Sequence, residues 1–297
     1  RSPMAFTHLH VHTEFSLLDG FCKIKELPGV VKSMGQTACA ITDHGVMYGV
    51  IDFYRACKAE GVKPIIGCEV YVAPQGRTRF DKVHEFDSES RHLVLLCENE
   101  EGYRNLSYMV SLAWTEGFYV KPRIDQALLR EHSKGLIALS ACLAGEIPRR
   151  LRNGEYHAKA YALEMAELFG PDRFYLELQN HGIRDQKIVN QSILKIHQET
   201  GIPMVCTNDA HYLRKEDAEA HDILLCIQTG KTVDDENRMR YEPQNFYLRS
   251  EVEMAELFDG YEGALENTQK ITEMCNLEFT FGKYHLPEFK LPEGYDR

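Results

Sequence analysis

HLHVHTEFSLLDG, residues 8–20, puts His8, His10 and His12 within five residues and Asp19 seven residues further on. Read as a β-strand, the segment sets all three imidazoles on one face, with successive rings ~6.6 Å apart and the outer pair ~13 Å apart at Cα. His8 and His12 are then too distant to share one metal ion. Either His8 with His10 or His10 with His12 forms the pair, and this stretch alone leaves both open.

Outward from it, apolar runs rich in β-branched residues recur at 7–12, 38–42, 64–72, 92–97, 136–140, 174–178 and 204–207, giving seven expected strands. Amphipathic segments separate them: 159–169 stops at Gly170-Pro171, and 185–200, with Val189, Ile193 and Ile196 on one stripe, stops at Gly201. Alternating strand and helix predicts an α/β fold with a parallel sheet, and seven units suffice to close it into a barrel, with a doubly wound open sheet as the alternative. No G-x-G-x-x-G and no G-x-x-x-x-G-K-[ST] occurs. The polar stretch 73–91 is long for a loop and is expected to be a mobile flap or an insertion. After Tyr212 the pattern turns helical, with a capping box at Ser250 and Glu253. The expected organisation is a barrel over 4–212, a helical extension over 213–284 and a proline-containing linker over 285–297. Arg1, Ser2 and Pro3 precede Met4, which looks like a natural start, and are expected to be a cloning remnant.

Composition narrows the function. Across 297 residues, 43% hydrophobic and 27% charged residues are ordinary for a soluble domain. No apolar run approaches the ~20 residues of a membrane span, and the N-terminus lacks a signal-peptide layout, so a cytoplasmic protein is expected. Nine scattered cysteines without a C-x-x-C pair do not read as a disulfide framework. A net charge of −11 argues against a broad nucleic-acid-wrapping surface, because such binding needs clustered Lys and Arg. Thirteen histidines direct attention to metals instead.

Sites in sheets and barrels of this class gather at the C-terminal ends of strands. There the sequence supplies His10 and His12, Asp43-His44, Glu69, Cys142, and Asp209 with His211. One such residue alone is ordinarily a cap or turn residue. Ligand-type side chains at the ends of five strands instead point to a metal site suited to zinc, manganese or iron.

His10-x-His12-Thr13-x-Phe15-Ser16, Asp19-Gly20, Thr42-Asp43-His44, Gly67-Cys68-Glu69 and Asn208-Asp209-Ala210-His211 resemble the motifs of the PHP (polymerase and histidinol phosphatase) superfamily. FSLLDG, AITDHGVMYG, KPIIGCEVYVAP, HLVLLCENEEGYRNL and HDILLCIQTGK narrow the resemblance to the PHP domain of bacterial replicative DNA polymerase alpha subunits, over nearly the whole chain. It implies a distorted seven-stranded (β/α) barrel with up to three divalent ions (Zn, Mn or Fe) at its mouth. The implied ligands are His10, His12, Asp19, His44, Glu69, His92, Cys142, Asp209 and His211. The implied grouping is His10, His12, Glu69 and Asp209 on one ion, Glu69, His92 and Cys142 on a second, and Asp19, His44 and His211 on a third. His10 and His12 thereby become the pair, and His8 becomes a hydrogen-bonded core histidine deeper on the same face. His92 stands at the start of its expected strand, against the strand-end rule.

The expected activity is metal-dependent phosphodiester hydrolysis of the 3′→5′ exonuclease, proofreading type. Two ions ~3.5–4 Å apart lower the pKa of a shared water and hold both the attacking and the departing oxygens. His10, His12, Glu69 and Asp209 are the expected catalytic core, with His44 and His211 orienting the phosphate, and Lys121, Arg123, His181 and Arg184 as candidate phosphate contacts. The expected partners are a single-stranded or frayed DNA 3′ end, the remaining polymerase domains and other replisome subunits, with no membrane. Polymerisation itself is not expected within this chain. Two other readings stay open: a free-standing phosphatase or pyrophosphatase, and a catalytically silent metal-stabilised docking module.

Overall fold

The computed structural model describes residues 6–154, 157–291 and 294. The expected cloning remnant, and the expected linker at 292–293 and 295–297, lie outside the described residues. In chain order the elements are α1 Leu27–Ser33, β1 Ala38–Ile41, α2 Val50–Glu60, β2 Lys63–Val72, α3 His84–Asp87, β3 Arg91–Cys97 and α4 Glu100–Thr115. Then follow β4 Phe118–Tyr119, β5 Lys121–Ile124, α5 Gln126–His132, β6 Leu136–Leu139, α6 Glu146–Asn153, α7 Ala158–Phe169, β7 Phe174–Leu178, α8 Arg184–Thr200 and β8 Met204–Cys206. The last third is helical, with α9 Ala218–Thr229, α10 Glu251–Leu257 and α11 Glu266–Met274. No helix among the described residues is long and apolar enough to cross a membrane.

The sheet runs β1-β2-β3-β6-β7-β8, and the segment 8–12 joins its two ends. Ala40 and Thr42 donate backbone N–H groups to His8 O and Val11 O, while Ala210 N–H reaches His10 O and His12 N–H reaches Ala210 O. Seven extended segments therefore close a ring, and closure removes the unpaired edges that an open sheet would leave. The resemblance's barrel is the observed fold, and the open-sheet alternative is set aside.

The neighbours are parallel except around β3, which is antiparallel to both β2 and β6. Parallel neighbours need a substantial crossover. The chain between β2 and β3 carries only the one-turn α3, so it doubles back instead. This corrects the wholly parallel expectation and removes the difficulty with His92: in a reversed strand the first residue sits at the same mouth as the last residues of its neighbours, and His92 pairs with Tyr71 near the end of β2.

Alternation divides two cores. Ile65, Val94, Leu96, Ile137, Leu139, Tyr175 and Val205 fill the barrel, whereas Ile66, Cys68, Leu93, Leu95, Ala138 and Leu176 face the surrounding helices. Ile271 and Cys275, in and just after α11, join the interior set. Lys63 Nζ donates to Thr272 O, Asn276 N–H to Glu98 O, and Thr7 N–H to Thr268 Oγ1. All three contacts lie at the floor, opposite the mouth, so α11 is the barrel's plug.

The opening stretch is less regular than a strand. Leu9 belongs to the interior, yet the next residue, His10, also turns inward to Glu69 and Glu177. Pairing at His8, Val11 and Thr13 is by isolated bridges, which tolerate this break in phase. His8 pairs in parallel with the outward-facing Cys39, packs edge-on against Phe6 and bonds Arg249 O at 2.8 Å. It is a hydrogen-bonded core histidine, but on the opposite face from His10 and His12, which corrects the shared-face expectation. The 73–91 segment is tied down rather than free: Arg77 pairs with buried Asp87, Arg79 with Asp125, and Arg123 donates to Arg79 O and Asp81 O.

Ile271→Ala should cost about 2–5 kcal/mol by opening a cavity under the plug, read by denaturant unfolding; a change under about 0.5 kcal/mol would show that α11 does not carry the floor. Burial lowers the His8 pKa to about 4 from an ordinary 6.5. The unfolded chain therefore binds the extra proton between those values, and stability complete above pH 6.5 declines as pH falls toward 4. His8→Gln should unfold with a shallower pH dependence in that window, and an unchanged slope would contradict the assignment.

Candidate metal centre

The loop after His12 folds tightly because Asp43 gathers its donors. Asp43 accepts from Thr13 N–H at 2.6 Å, Thr13 Oγ1 at 2.8 Å and Ser16 Oγ at 2.7 Å. At Gly20 an added Cβ would lie 2.0 Å from Thr13 O, so only glycine lets the loop close upon itself and turn Asp19 inward. Ser16 Oγ also lies 3.1 Å from His12 Nδ1, which leaves Nε2 of that ring facing the mouth. Across the ring, Asp209 at the end of the last strand adopts φ +44° and Ala141, before Cys142, φ +62°. Non-glycine residues seldom hold such backbones except where the surroundings enforce them, and functional sites are frequent instances.

Around Glu69 the resemblance's nine residues converge. His10 Nε2 is 3.1 Å from Glu69 Oε1 and 3.1 Å from Asp209 Oδ1. His12 Nε2 is 3.0 Å from the same Asp209 oxygen and 3.7 Å from Glu69 Oε2. His92 Nδ1 lies 3.1 Å from Glu69 Oε1 and 3.5 Å from Cys142 Sγ. His44 spans two carboxylates, with Nδ1 against Glu69 Oε2 and Nε2 2.5 Å from Asp19 Oδ2. His211 Nε2 is 3.6 Å from Asp19 Oδ2. Within each of three sets, His10-His12-Glu69, Glu69-His92-Cys142 and His12-His44-His211, one ligand atom per residue lies within 4.8 Å of the others. The third set differs from the implied grouping: His12 stacks on both His44 and His211, with centroids 3.9 and 4.3 Å away, and so faces two of the implied ion positions.

This arrangement suits cations and little else. His12 Nε2, His44 Nδ1, Asp19 Oδ1, Glu69 Oε2 and Asp209 Oδ1 are buried without hydrogen-bond partners, although several lie within contact distance of one another. Buried charge is costly unless paired or bound to metal. Against the cost of their own burial, neighbouring histidines hold Glu69, Asp19 and Asp209 well below the usual carboxylate range. His44 is pushed up to about 10: burial works against its charge, but Glu69 and Asp19 outweigh it. His12 moves the other way, to about 3, by burial and by repulsion from His44 and His211. Positive charge is thus demanded at the centre of the cluster. Burial, with Glu69 and Asp209 nearby, raises the Cys142 thiol, which a coordinated cation would reverse.

Sequence reasoning missed Glu177. It is buried on β7, its Oε1 accepts at 2.6 Å from His10 Nδ1, and Gln179 and Thr207 donate to the same oxygen. A carboxylate behind a ligating histidine fixes its tautomer and raises its basicity. The available signal was a lone charge in the otherwise apolar run FYLEL. Tyr241 was also missed: its OH lies 3.4 Å from Asp19 Oδ2 and 3.5 Å from His211 Nε2.

The four candidate phosphate contacts divide. Arg123 is fully buried and its guanidinium is engaged by carbonyls of Gly117, Arg79 and Asp81. His181 is fully buried, with one ring nitrogen on Asn208 O and the other on Gln186. The structure does not bring either to the mouth. Arg184 is exposed at the start of α8, and Lys121 is exposed beside Tyr71, whose ring packs against His92.

The PHP domain family matches residues 8–181. DNA polymerase III subunit alpha of Treponema pallidum is 44% identical over 294 residues, covering 98% of this chain and 25% of the relative. That of Helicobacter pylori is 46% identical over 308 residues, with the same coverages. A solved amidohydrolase from Chromobacterium violaceum aligns with TM-score 0.43 at 15% identity, over 70% of this chain and 88% of that one. The chain spans about a quarter of the length of the curated relatives it matches.

Glu177→Gln should leave the fold intact and weaken Zn²⁺ or Mn²⁺ binding about 10–100-fold in a chelator competition; unchanged affinity would remove Glu177 from the centre.

Proposed function

The chain belongs to the PHP domain family, in the form carried by DNA polymerase III alpha subunits, and from that premise we propose that its centre is a phosphodiesterase acting on the 3′ end of single-stranded or frayed DNA, as a proofreading exonuclease. The observation that supports this reading is the cluster itself. Eight ligand-type side chains gather around the buried carboxylate of Glu69, with several of the cluster's atoms lacking hydrogen-bond partners.

In this proposal up to three divalent ions (Zn²⁺, Mn²⁺ or Fe²⁺) are held by His10, His12, Asp19, His44, Glu69, His92, Cys142, Asp209 and His211. Bound there, they supply Lewis acidity toward water and toward the phosphate oxygens. The remaining work falls to the chain. Glu69, with each oxygen facing different histidines, joins the first and second ligand sets. Glu177 keeps a proton on His10 Nδ1 and so directs the Nε2 lone pair into the site. Asp43, through Ser16, holds His12 in one orientation. His44 and His211, on the Asp19 side, orient the phosphate or the leaving group. Residues 4–212 form the hydrolytic barrel, 213–284 complete it, and 285–297 lead toward the other polymerase domains, which with further replisome subunits are the proposed partners, in the cytoplasm.

One observation favours a second reading, a metal-stabilised structural module: two of the four candidate phosphate contacts, Arg123 and His181, are turned inward, on a chain of net charge −11.

Chelator-stripped protein should regain release of 3′ nucleotides from a labelled oligonucleotide when Mn²⁺ or Zn²⁺ is restored, and Asp209→Asn should lower the restored rate at least about 100-fold. Release of p-nitrophenol from its phosphate, with no oligonucleotide turnover, would instead mark a small-molecule phosphatase. If His10→Ala and Asp209→Asn lower the melting temperature while no substrate is ever hydrolysed, the structural reading replaces the catalytic one.

A further inference from the structure

An acidic chain that acts on nucleic acid has little counterion release with which to bind it, so its affinity has to come from somewhere other than charge. Beside the mouth, the stretch FYVKPRID, residues 118–125, supplies a different source. The β4-β5 hairpin turns at Val120, a β-branched residue held at φ +62°. It begins at Gly117, where an added Cβ would lie 1.9 Å from Arg123 O, so the approach of the two strands requires glycine. Arg123, locked among carbonyls, fixes the base of this hairpin rather than serving a ligand.

The hairpin holds Phe118 against Trp114 of α4, with ring centroids 5.6 Å apart and planes 30° from parallel. Both rings remain open to solvent, at 48% for Trp114 and 46% for Phe118. The pair is nonetheless anchored to the site: Trp114 Nε1 donates at 2.8 Å to the carbonyl of Gly45, the residue after His44. On the same hairpin the Lys121 ammonium lies 5.4 Å over the ring of Tyr71, which packs edge-on against His92 and stacks on His44. Tyr48, four residues after His44, is a further exposed ring and packs edge-on against Phe15 of the Asp19 loop.

We propose that Trp114 and Phe118 form a stacking platform for the unpaired bases of a single DNA strand whose terminal phosphodiester lies at the metal centre. The proposal rests on the phosphodiesterase reading and adds where the strand lies and why it is single. Flat rings anchored at one edge and open on a face accept any base, and paired bases do not offer theirs. Base–aromatic stacking is insensitive to the protein's net charge. Lys121, over Tyr71, supplies one local cation beside the site itself. A small phosphate monoester or pyrophosphate has no base and makes no use of these rings.

Trp114 is the single tryptophan of the sequence, so its fluorescence reports on this surface alone. The wild-type chain, loaded with Mn²⁺, is titrated with oligothymidylate carrying a 3′-terminal phosphorothioate to suppress cleavage, with an abasic oligomer of equal length, and with inorganic pyrophosphate. Quenching is expected with oligothymidylate only. Phe118→Ala should raise its Kd roughly 5- to 150-fold, Phe118→Tyr should restore binding, and p-nitrophenyl phosphate turnover and metal content should not change. Equal quenching by the abasic oligomer, no quenching at all, or a Kd unaltered in Phe118→Ala overturns the platform. A wild type that binds oligothymidylate but never cleaves unmodified DNA sinks the hydrolytic reading and leaves the platform standing; one that cleaves without quenching does the reverse.

Discussion

One carboxylate organises this molecule. Glu69 is fully buried, and four histidine rings, His10, His12, His44 and His92, lie within ion-pairing distance of it. A carboxylate withdrawn from water needs strong compensation, and partly oriented histidines give it only while they hold protons. Divalent cations resolve the same imbalance more completely, because they satisfy the carboxylates and leave the rings neutral. The rest of the fold is arranged to keep these groups together. The ring closes through residues 8–12, which bear two of the rings, so the integrity of the barrel and the integrity of the site depend on the same backbone hydrogen bonds.

The reversed strand is the second device. Were β3 parallel to β2, His92 would fall at the floor, next to the plug, and Glu69 would lose its histidine on that side. Running β3 backwards moves that histidine to the mouth without altering the alternation that buries Val94 and Leu96 inside and Leu93 and Leu95 outside. The long connection between β2 and β3 lies across the surface as 73–90, and the buried arginine at 123 fastens it there. A side chain with the composition of a phosphate ligand is thus consumed by architecture.

Support behind the candidate ligands follows one pattern. Asp43 acts through Ser16 on His12, Glu177 acts directly on His10, and Tyr241 leans on Asp19 and His211 from the loop after α9. Each supporting group comes from a different part of the chain. The family match ends at residue 181, whereas Asp209, His211 and Tyr241 lie beyond it, so the centre is completed by sequence that the family pattern does not cover.

Much of this is legible in the sequence alone. Strand-end residues such as His10, His12, His44, Glu69 and His211 stand out as a group because ligand chemistry restricts residue type and because strand termini in such folds share one end, whereas Asp19 comes only from the family resemblance. The strands at 64–72, 92–97 and 174–178 follow from apolar runs rich in β-branched residues, a signal that depends on neighbours in sequence. Three things were decided only by tertiary structure. The direction of β3 depends on how the chain returns after β2, which no periodicity records. The phase break between Leu9 and His10, which turns His8 away from its companions, arises from pairing with two different strands at isolated points. The roles of Arg123, His181 and Glu177 depend on what surrounds them: guanidinium, imidazole and carboxylate are equally suited to ligand binding and to internal support, and only the positions of distant carbonyls and rings choose between the two.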